Sequence, residues 1–353
     1  MLKVFQCVRK FSPYGGMESY VWNLAHELIK KNIKVIVLCE EFHNDFNDKI
    51  EVVVIHKNFK KIPPWISHLL FSQGISKFLQ NEKELGNEYV IHSHERLSMH
   101  DITTIHGPLI LDRKKRMFDF LSLRLLTWKY LEKREFFSDN VKCIVPNSEI
   151  SKRKIKHFYP LIKAAICSPG YPGTNKDFYK IENKSKIHNF GFIGKEWKRK
   201  GLLFVIDVFK EIYKYNPTNI HLHIAAVDIK EVKKFLEGLP ESSYTFYGWI
   251  ESVNFYEKIE LLIHPALNEP FGMVVAEANA SGVYCLISKN VGFRDFISPN
   301  VGEVLELDKK IWVDKILSLI GTKIHVKRVK YSWSSLSDEY LKLYRMINKS
   351  NSN

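Results

Sequence analysis

Glu269 and Glu277 stand eight residues apart in the run Asn268-Glu269-Pro270-Phe271-Gly272-Met273-Val274-Val275-Ala276-Glu277. The run follows an apolar stretch over 261–263 and the turn His264-Pro265-Ala266. Pro270 and Gly272 punctuate the strand end, and the residues after them predict a helix over 271–280. A helix starting there presents unpaired backbone N–H groups at Phe271, Gly272, Met273 and Val274, a seat for an anion or for sugar hydroxyls. Glu277 lies four residues after Met273, on the same helix face and one turn deeper. Carboxylates accept hydrogen bonds from hydroxyls, so this pair suits a polyhydroxylated phosphate ester. Most glutamates are merely solvated. The strand–turn–helix context argues against that reading here.

Three further groups have chemistry to offer. Lys195, Lys198, Arg199 and Lys200 follow a predicted strand over 190–193, where cations would neutralise a departing diphosphate. A solvated basic loop is the alternative. Gly15-Gly16 sits between a strand over 4–8 and a helix over 17–31, and glycine there lets backbone approach a ligand. The full G-x-G-x-x-G fingerprint of dinucleotide binding is missing. His106 ends a strand over 102–105 and precedes Gly107-Pro108, the strand-end location where parallel sheets collect ligands. His92, His94 and His100 are near it but form no metal-ligand set with a matched carboxylate. The chain contains no Asp-x-Asp pair. Cations and helix ends are therefore expected to handle diphosphate charge, with no metal and no cofactor.

The elements that must position these residues alternate strand and helix. In the first half, strands are expected over 4–8, 34–38, 52–55, 89–91, 102–105 and 143–145. Val21, Leu24, Ala25, Leu28 and Ile29 give the intervening helix its apolar stripe. This βαβ pattern predicts a parallel sheet covered on both faces. A polar stretch over 173–188 reads as a linker. Strands are then expected over 190–193, 221–225, 244–247, 261–263 and 284–287, with helices over 202–213 and 271–280. The expected architecture is α/β: a first domain over 1–172, a second over 189–332, and a closing helix in 333–353 that either completes the second domain or crosses back to the first. Two doubly wound domains would face a central cleft.

The ordered motifs resemble glycosyltransferase family 4, retaining enzymes of the GT-B fold. Glu269-Pro270-Phe271-Gly272 through Glu277 matches that family's E-x7-E signature. Pro13-Tyr14-Gly15-Gly16-Met17-Glu18 resembles its glycine-rich loop, Gly194-Lys195 through Lys200-Gly201 its phosphate-binding segment, and Thr104-Ile105-His106-Gly107 its central histidine motif. Trp333 stands where members often carry a Trp before the closing helix. The resemblance implies two Rossmann-like domains and hexosyl transfer from a nucleotide sugar, UDP-linked by family habit. It assigns catalysis to His106, Glu269, Lys195 and Lys200. It assigns the sugar donor to Gly15, Gly16, Arg199, Phe271, Gly272, Met273, Val274 and Glu277; Glu18 and Arg113 are expected to meet the acceptor. Lys195 replaces the usual arginine, which would lose bidentate phosphate gripping; Arg199 could substitute.

Composition narrows the partners. The chain has 353 residues, 45% hydrophobic and 26% charged, with a formal net charge of +14. Such charge seeks polyanions. No nucleic-acid motif occurs and the basic residues are dispersed, so nucleic acid is not the expected partner. The stretch 113–137 mixes Arg113, Lys114, Lys115, Arg116, Arg124, Lys129, Lys133 and Arg134 with Phe118, Phe120, Leu121, Leu125, Trp128, Leu131 and Phe136. Lys60-Lys61-Ile62-Pro63-Pro64-Trp65 is a similar mixture. These read either as a core helix with a solvated basic face or as contact with an anionic membrane surface. The second fits a saccharide or lipid-linked saccharide acceptor in lipopolysaccharide or polysaccharide synthesis, and the layout is similar to lipopolysaccharide core glucosyltransferases. No apolar run of about 18 residues occurs, and the N-terminal apolar run is too short for a signal peptide. A cytoplasmic enzyme, peripheral on the inner face of the membrane in the second reading, is expected. Cys7, Cys39, Cys143, Cys167 and Cys285 read as buried thiols. Rival readings keep the fold but change the outcome: a nucleotide-sugar epimerase or hydrolase, or a non-catalytic polyanion-binding protein.

Overall fold

The computed structural model describes residues 2–55, 62–84, 89–113, 119–182 and 185–351. The chain forms two compact units, one of residues 1–173 with 332–353, the other of Thr174–Tyr331.

The first unit is built on a seven-stranded parallel sheet. Its strand order is Glu51–Val54, Lys34–Cys39, Lys3–Cys7, Val90–Ser93, Ile102–Ile105, Cys143–Pro146, Ala165–Ile166. The inner strands are buried on both faces, as a parallel sheet covered by helices requires, though Gln6, His92, Ser93, Thr103 and Thr104 put polar side chains among their apolar ones. Strand order reverses between Lys3–Cys7 and Val90–Ser93, which opens a crevice at their carboxyl ends. Helix Gly16–Lys30 buries Val21, Leu24, Ala25 and Leu28 of the expected stripe; Tyr20 is buried with them, and Ile29 is only half-buried. The closing helix, Trp333–Asn351, packs in this unit against Gly16–Lys30 and buries Leu336, Tyr340, Tyr344 and Ile347.

Two parts of this unit differ from expectation. Helix Pro64–Glu84 is unforeseen: Phe71, Ile75 and Leu79 pack on Phe5, Ile36 and Leu38, but Ser, Gln and Gly dilute the stripe in sequence. The basic helix expected from 113 runs only over Leu123–Phe137, with the Ser122 hydroxyl accepting from the Leu125 N–H as N-cap. Lys60, Lys61, Lys114, Lys115, Arg116 and Phe118 lie outside the described residues. The inner face of Leu123–Phe137 is not purely apolar, because Glu132 and Glu135 are buried in it. Glu132 accepts from the Ile110 N–H, the Arg96 guanidinium and the Tyr159 hydroxyl, so these groups satisfy it. Of the cysteines, Cys167 is only half-buried, and its Sγ lies 2.9 Å from that of Cys143 on the adjoining strand.

The second unit holds a six-stranded parallel sheet. Its order is Tyr244–Phe246, His221–Ala225, Asn189–Ile193, Leu261–His264, Tyr284–Ser288, Gly302–Leu305. The reversal falls between Asn189–Ile193 and Leu261–His264. Helix Leu202–Tyr215 packs Val205, Ile206, Phe209 and Ile212 against Phe190 and Phe192, each fully buried. Each such side chain contributes about 1.5–3 kcal/mol of transfer free energy. The polar stretch before the first strand also packs here. Phe178, Ile181 and Ile187 are buried, and the Arg328 guanidinium donates to the Tyr179 and Ile181 carbonyls at 2.7 and 2.6 Å.

Candidate functional site

In the second unit, Asn189–Ile193 and Leu261–His264 end side by side at the point where strand order reverses. The chain leaving the second of these strands carries Glu269. Its backbone is pinned, with the Glu269 N–H donating to Asn290 O and its carbonyl accepting from the Gly292 N–H at 3.0 and 2.9 Å. The carboxylate lies 3.1 Å from Arg199 Nη1, 3.9 Å from Lys200 Nζ and 3.8 Å from His264 Nε2. Burial pushes this carboxyl up. The adjoining His264, Lys200 and Arg199 outweigh burial and hold it at about 2. Glu269 is thus an ionised acceptor at neutral pH. His264 is fully buried; its Nε2 faces the Glu269 carboxylate at a distance too long for a normal hydrogen bond, and among the described residues neither ring nitrogen has another partner.

Lys200 reaches this position because Gly194 gives way to it. A Cβ on Gly194 would stand 2.4 Å from Lys200 Cδ, and the φ of +153° there disfavours any L side chain. Lys195 is exposed and makes no ion pair among the described residues. Arg199 is differently placed from what bidentate phosphate gripping needs. Its Nη2 donates to Glu196 Oε2 at 2.5 Å, its Nη1 to Glu269, and Nη1 also contacts the Asn268 carbonyl. The guanidinium is committed to holding the carboxylate loop.

The helix after Glu269 is Met273–Ala280, two residues shorter at its start than the pattern suggests, with Gly272 as N-cap in the left-handed region. The reason is that the Gly272 carbonyl already accepts from the Val275 and Ala276 N–H groups, at 2.9 and 3.2 Å. Among the described residues, the N–H groups of Met273 and Val274 at the helix start have no backbone partner. The Phe271 side chain is buried against Phe293, ring centroids 5.8 Å apart, so it packs the loop. Glu277 is half-buried, and its Oε2 lies 3.1 Å from the Tyr256 hydroxyl, which is 2.9 Å from the Val274 carbonyl. One phenol proton cannot serve both acceptors. Burial raises the Glu277 carboxyl to about 7, against the opposing pull of Tyr256 and Lys200. Trp249 is 66% exposed.

The first unit collects a second group at its own reversal point. Gly15 is the N-cap of Gly16–Lys30, with φ 105°, and Glu18 in the first turn folds its carboxylate back against it, into the space a Gly15 Cβ would occupy. His106 follows Ile102–Ile105 and is half-buried. Its Nε2 lies 2.9 Å from His94 Nδ1, and its ring meets the Tyr20 ring edge-on at 4.7 Å. Burial lowers its pKa to about 3, so the imidazole is neutral. Arg113 is exposed and pairs with Asp119 at 2.6 Å, apart from this group. Glu269, Arg199, Lys200, Gly272 and Glu277 therefore converge in one unit, and Gly15, Gly16, Glu18 and His106 lie at the carboxyl side of the other sheet. Tyr256, His264 and Gln6 escape sequence reasoning, and His94 is placed near His106 there but given no role. His264-Pro265 reads there only as a turn, and nothing about a lone tyrosine or glutamine signals a site.

Comparison with known proteins bears on family and fold. Residues 14–171 match the family described as Glycosyltransferase Family 4, and residues 187–322 match Glycosyl transferases group 1. An uncharacterised glycosyltransferase of Methanocaldococcus jannaschii is 26% identical over 175 residues, and that similarity covers 44% of this chain and 44% of its length. The gpi3 subunit of phosphatidylinositol N-acetylglucosaminyltransferase from Schizosaccharomyces pombe is 22% identical over 96% of this chain and 79% of its own. Among solved structures, WaaG, a glycosyltransferase involved in lipopolysaccharide biosynthesis, superposes with a TM-score of 0.78 at 17% identity, covering 98% of each chain. HepE from Anabaena, solved in complex with UDP and glucose, gives 0.63 at 14% identity over 100% of both chains. The chain is a glycosyltransferase of the GT-B fold, family 4 in its first half and group 1 in its second.

Proposed function

We propose that the chain moves a hexose from a UDP-linked sugar to a hydroxyl of a saccharide or lipid-linked saccharide, with retention of anomeric configuration. The observation that carries this reading is the Glu269 carboxylate, held ionised among Arg199, Lys200 and His264 at the reversal point of the second sheet. Glu269 orients hydroxyls of the transferred sugar. Glu277 accepts from the ribose hydroxyls. Lys200, Lys195 and the Met273 and Val274 N–H groups receive the diphosphate. His106 and Glu18 belong to the sugar and acceptor side of the reaction, and Arg113 to the outer acceptor contact.

A double displacement needs a carboxylate nucleophile with a second carboxyl about 5–5.5 Å away, and neither glutamate is assigned that role. The favoured step is a front-face substitution. The bond from C1 to the diphosphate oxygen breaks, the acceptor oxygen bonds C1 from the same face, and the acceptor proton passes to the leaving phosphate. Cations and helix N–H groups stabilise the charge on that phosphate, with no metal in the step. UDP is favoured because a neighbour of the same fold was solved with UDP and glucose.

A membrane-bound acceptor is favoured by one surface. Leu121, Leu123, Leu126 and Tyr130 are exposed at 66, 70, 44 and 56%, beside the exposed Arg124 and Lys133. Apolar and basic side chains together suit an anionic lipid surface. No described helix is long and apolar enough to cross a membrane. The test of the whole reading is incubation with a panel of UDP-, GDP- and ADP-sugars, with and without lipid-linked saccharide. Nucleoside diphosphate release that requires acceptor supports transfer. Equal release without acceptor indicates a hydrolase, and none with any sugar removes the proposal.

A further inference from the structure

Behind His106 runs a line of buried polar groups that ends on a backbone carbonyl. Gln6, His92, His94 and Thr104, with the phenols of Tyr20, Tyr340 and Tyr344, are each no more than 3% exposed. His106 Nε2 meets His94 Nδ1 at 2.9 Å, and His94 Nε2 meets Gln6 Oε1 at 2.6 Å. Gln6 Nε2 meets the Tyr344 hydroxyl at 2.9 Å, and that hydroxyl meets His92 Nδ1 at 2.6 Å. His92 Nε2 meets Thr104 Oγ1 at 2.7 Å, and Thr104 Oγ1 meets the Tyr340 hydroxyl at 2.6 Å. The Tyr340 and Tyr20 hydroxyls are 2.9 Å apart, and the Tyr20 hydroxyl donates to Gly170 O at 3.1 Å. Gly170 must be glycine for this approach, because a Cβ there would stand 2.8 and 2.9 Å from the two phenol oxygens.

Donor and acceptor capacity sets the direction of every bond. A carbonyl only accepts, so Tyr20 spends its single proton on Gly170. Tyr340 must then donate to Tyr20, Thr104 to Tyr340, and His92 Nε2–H to Thr104. A neutral His92 is left with Nδ1 as acceptor, so Tyr344 donates to it. Gln6 must therefore turn its amide nitrogen to Tyr344 and its oxygen to His94. His94 donates from Nε2, accepts at Nδ1, and can only receive from His106 Nε2–H.

We propose that Tyr340 and Tyr344 of the closing helix, with Tyr20, are positioning residues that fix His106 as the Nε2–H tautomer and leave its Nδ1 lone pair free to accept a hydrogen bond from a sugar hydroxyl. Low pKa values for His92, His94 and His106, set first by burial, keep all three rings neutral and the chain one-directional. Removal of one link lets the remaining groups reverse. His106 then takes the Nδ1–H form and offers a donor where it offered an acceptor. The functional half of this inference rests on the role proposed above for His106; the tautomer itself does not.

Nitrogen-15 NMR of histidine-labelled protein reads the tautomer without substrate, with His106 identified by its loss in His106→Asn. The wild type is expected to show Nε2–H at His106. Tyr344→Phe and Thr104→Val, which preserve packing, are expected to shift it wholly or partly to Nδ1–H, with kcat at least tenfold lower and little change in sugar-donor KM. Leu341→Ala, buried in the same helix but outside the chain, should lower thermal stability and leave the tautomer alone. An Nδ1–H wild type overturns the proposal, as does an unshifted Nε2–H form in both variants. A shifted tautomer with unchanged kcat leaves the chain standing and removes His106 from the reaction.

Discussion

The Arg199 guanidinium bonds the Glu269 carboxylate at 3.1 Å through one nitrogen and Glu196 at 2.5 Å through another. It therefore positions a carboxylate and has little left for a phosphate. Arg199→Ala should leave Lys200 and His264 as the remaining neighbours, let the Glu269 carboxyl rise toward 4.5, and weaken sugar-donor binding about tenfold. The stability effect has a definite sign. Glu269 is depressed to about 2 in the fold, so its contribution is full above about pH 4.5 and is lost as pH falls toward 2. Urea unfolding should show the variant less stable by about 1–2 kcal/mol at pH 7, with the gap shrinking below about pH 4 and closing as pH falls through about 2. A gap that widens on acidification would contradict the assignment.

Glu277 should make sugar-donor binding depend on pH in the opposite range. Its carboxyl is raised to about 7 by burial, so it is protonated at pH 6 and ionised at pH 8. A raised carboxyl favours the fold fully below its unfolded value and loses that contribution as pH climbs through 7. Hydroxyl recognition runs the other way, since the ionised form is the better acceptor. Calorimetry with UDP-glucose, whose diphosphate diester does not titrate here, should show tighter binding at pH 8 than at pH 6. Glu277→Gln should flatten that difference, and an unchanged slope in the variant would remove the ribose assignment.

Gly194→Ala is expected to cost activity through Lys200. The added carbon would meet Lys200 Cδ at 2.4 Å, and the amine must leave its place near Glu269. A kcat loss of about 10–100-fold with a normal circular dichroism spectrum is expected, comparable to Lys200→Ala. Full activity would show that Lys200 works from elsewhere.

Sequence reasoning reaches the sheets and the Glu269–Glu277 segment because apolar strand runs and Pro/Gly punctuation are local signals. The doubly wound α/β class follows from those runs alone. Helix Pro64–Glu84 is lost because tertiary packing by Phe71, Ile75 and Leu79 decides it, not a clean stripe. The helix start moves from 271 to Met273 because a Gly272 carbonyl bond captures the Val275 N–H, a detail of turn geometry. Arg199 reads in sequence as a phosphate ligand. Its capture by Glu196 and Glu269 depends on where two loops of different strands end. The Tyr256–Glu277 contact and the polar line behind His106 join residues tens to hundreds of positions apart, and no periodicity encodes them.

The exposed apolar and basic face of Leu123–Phe137 predicts lipid contact. Vesicle sedimentation should retain the wild type on anionic membranes more than on zwitterionic ones. Changing Leu123, Leu126 and Tyr130 together to Ser should release it, since each loses exposed apolar area and none is in the core. Equal failure of the wild type to bind both vesicles would remove the membrane reading.

Phosphate handling by Lys195, Lys200 and helix N–H groups predicts transfer without a divalent ion. Exhaustive chelation should leave the rate within about twofold, because preorganised donors already face the leaving charge. Loss of activity restored by Mg²⁺ or Mn²⁺ would overturn this.

The central claim is that Glu269 holds the sugar being transferred. Its most direct test is acceptor-dependent UDP release from UDP-glucose by the wild type and by Glu269→Ala, with UDP affinity measured in parallel. The account predicts a kcat loss of about 100-fold or more with UDP binding nearly retained, as for a group that orients the reacting sugar. Equal turnover by the two proteins would contradict it.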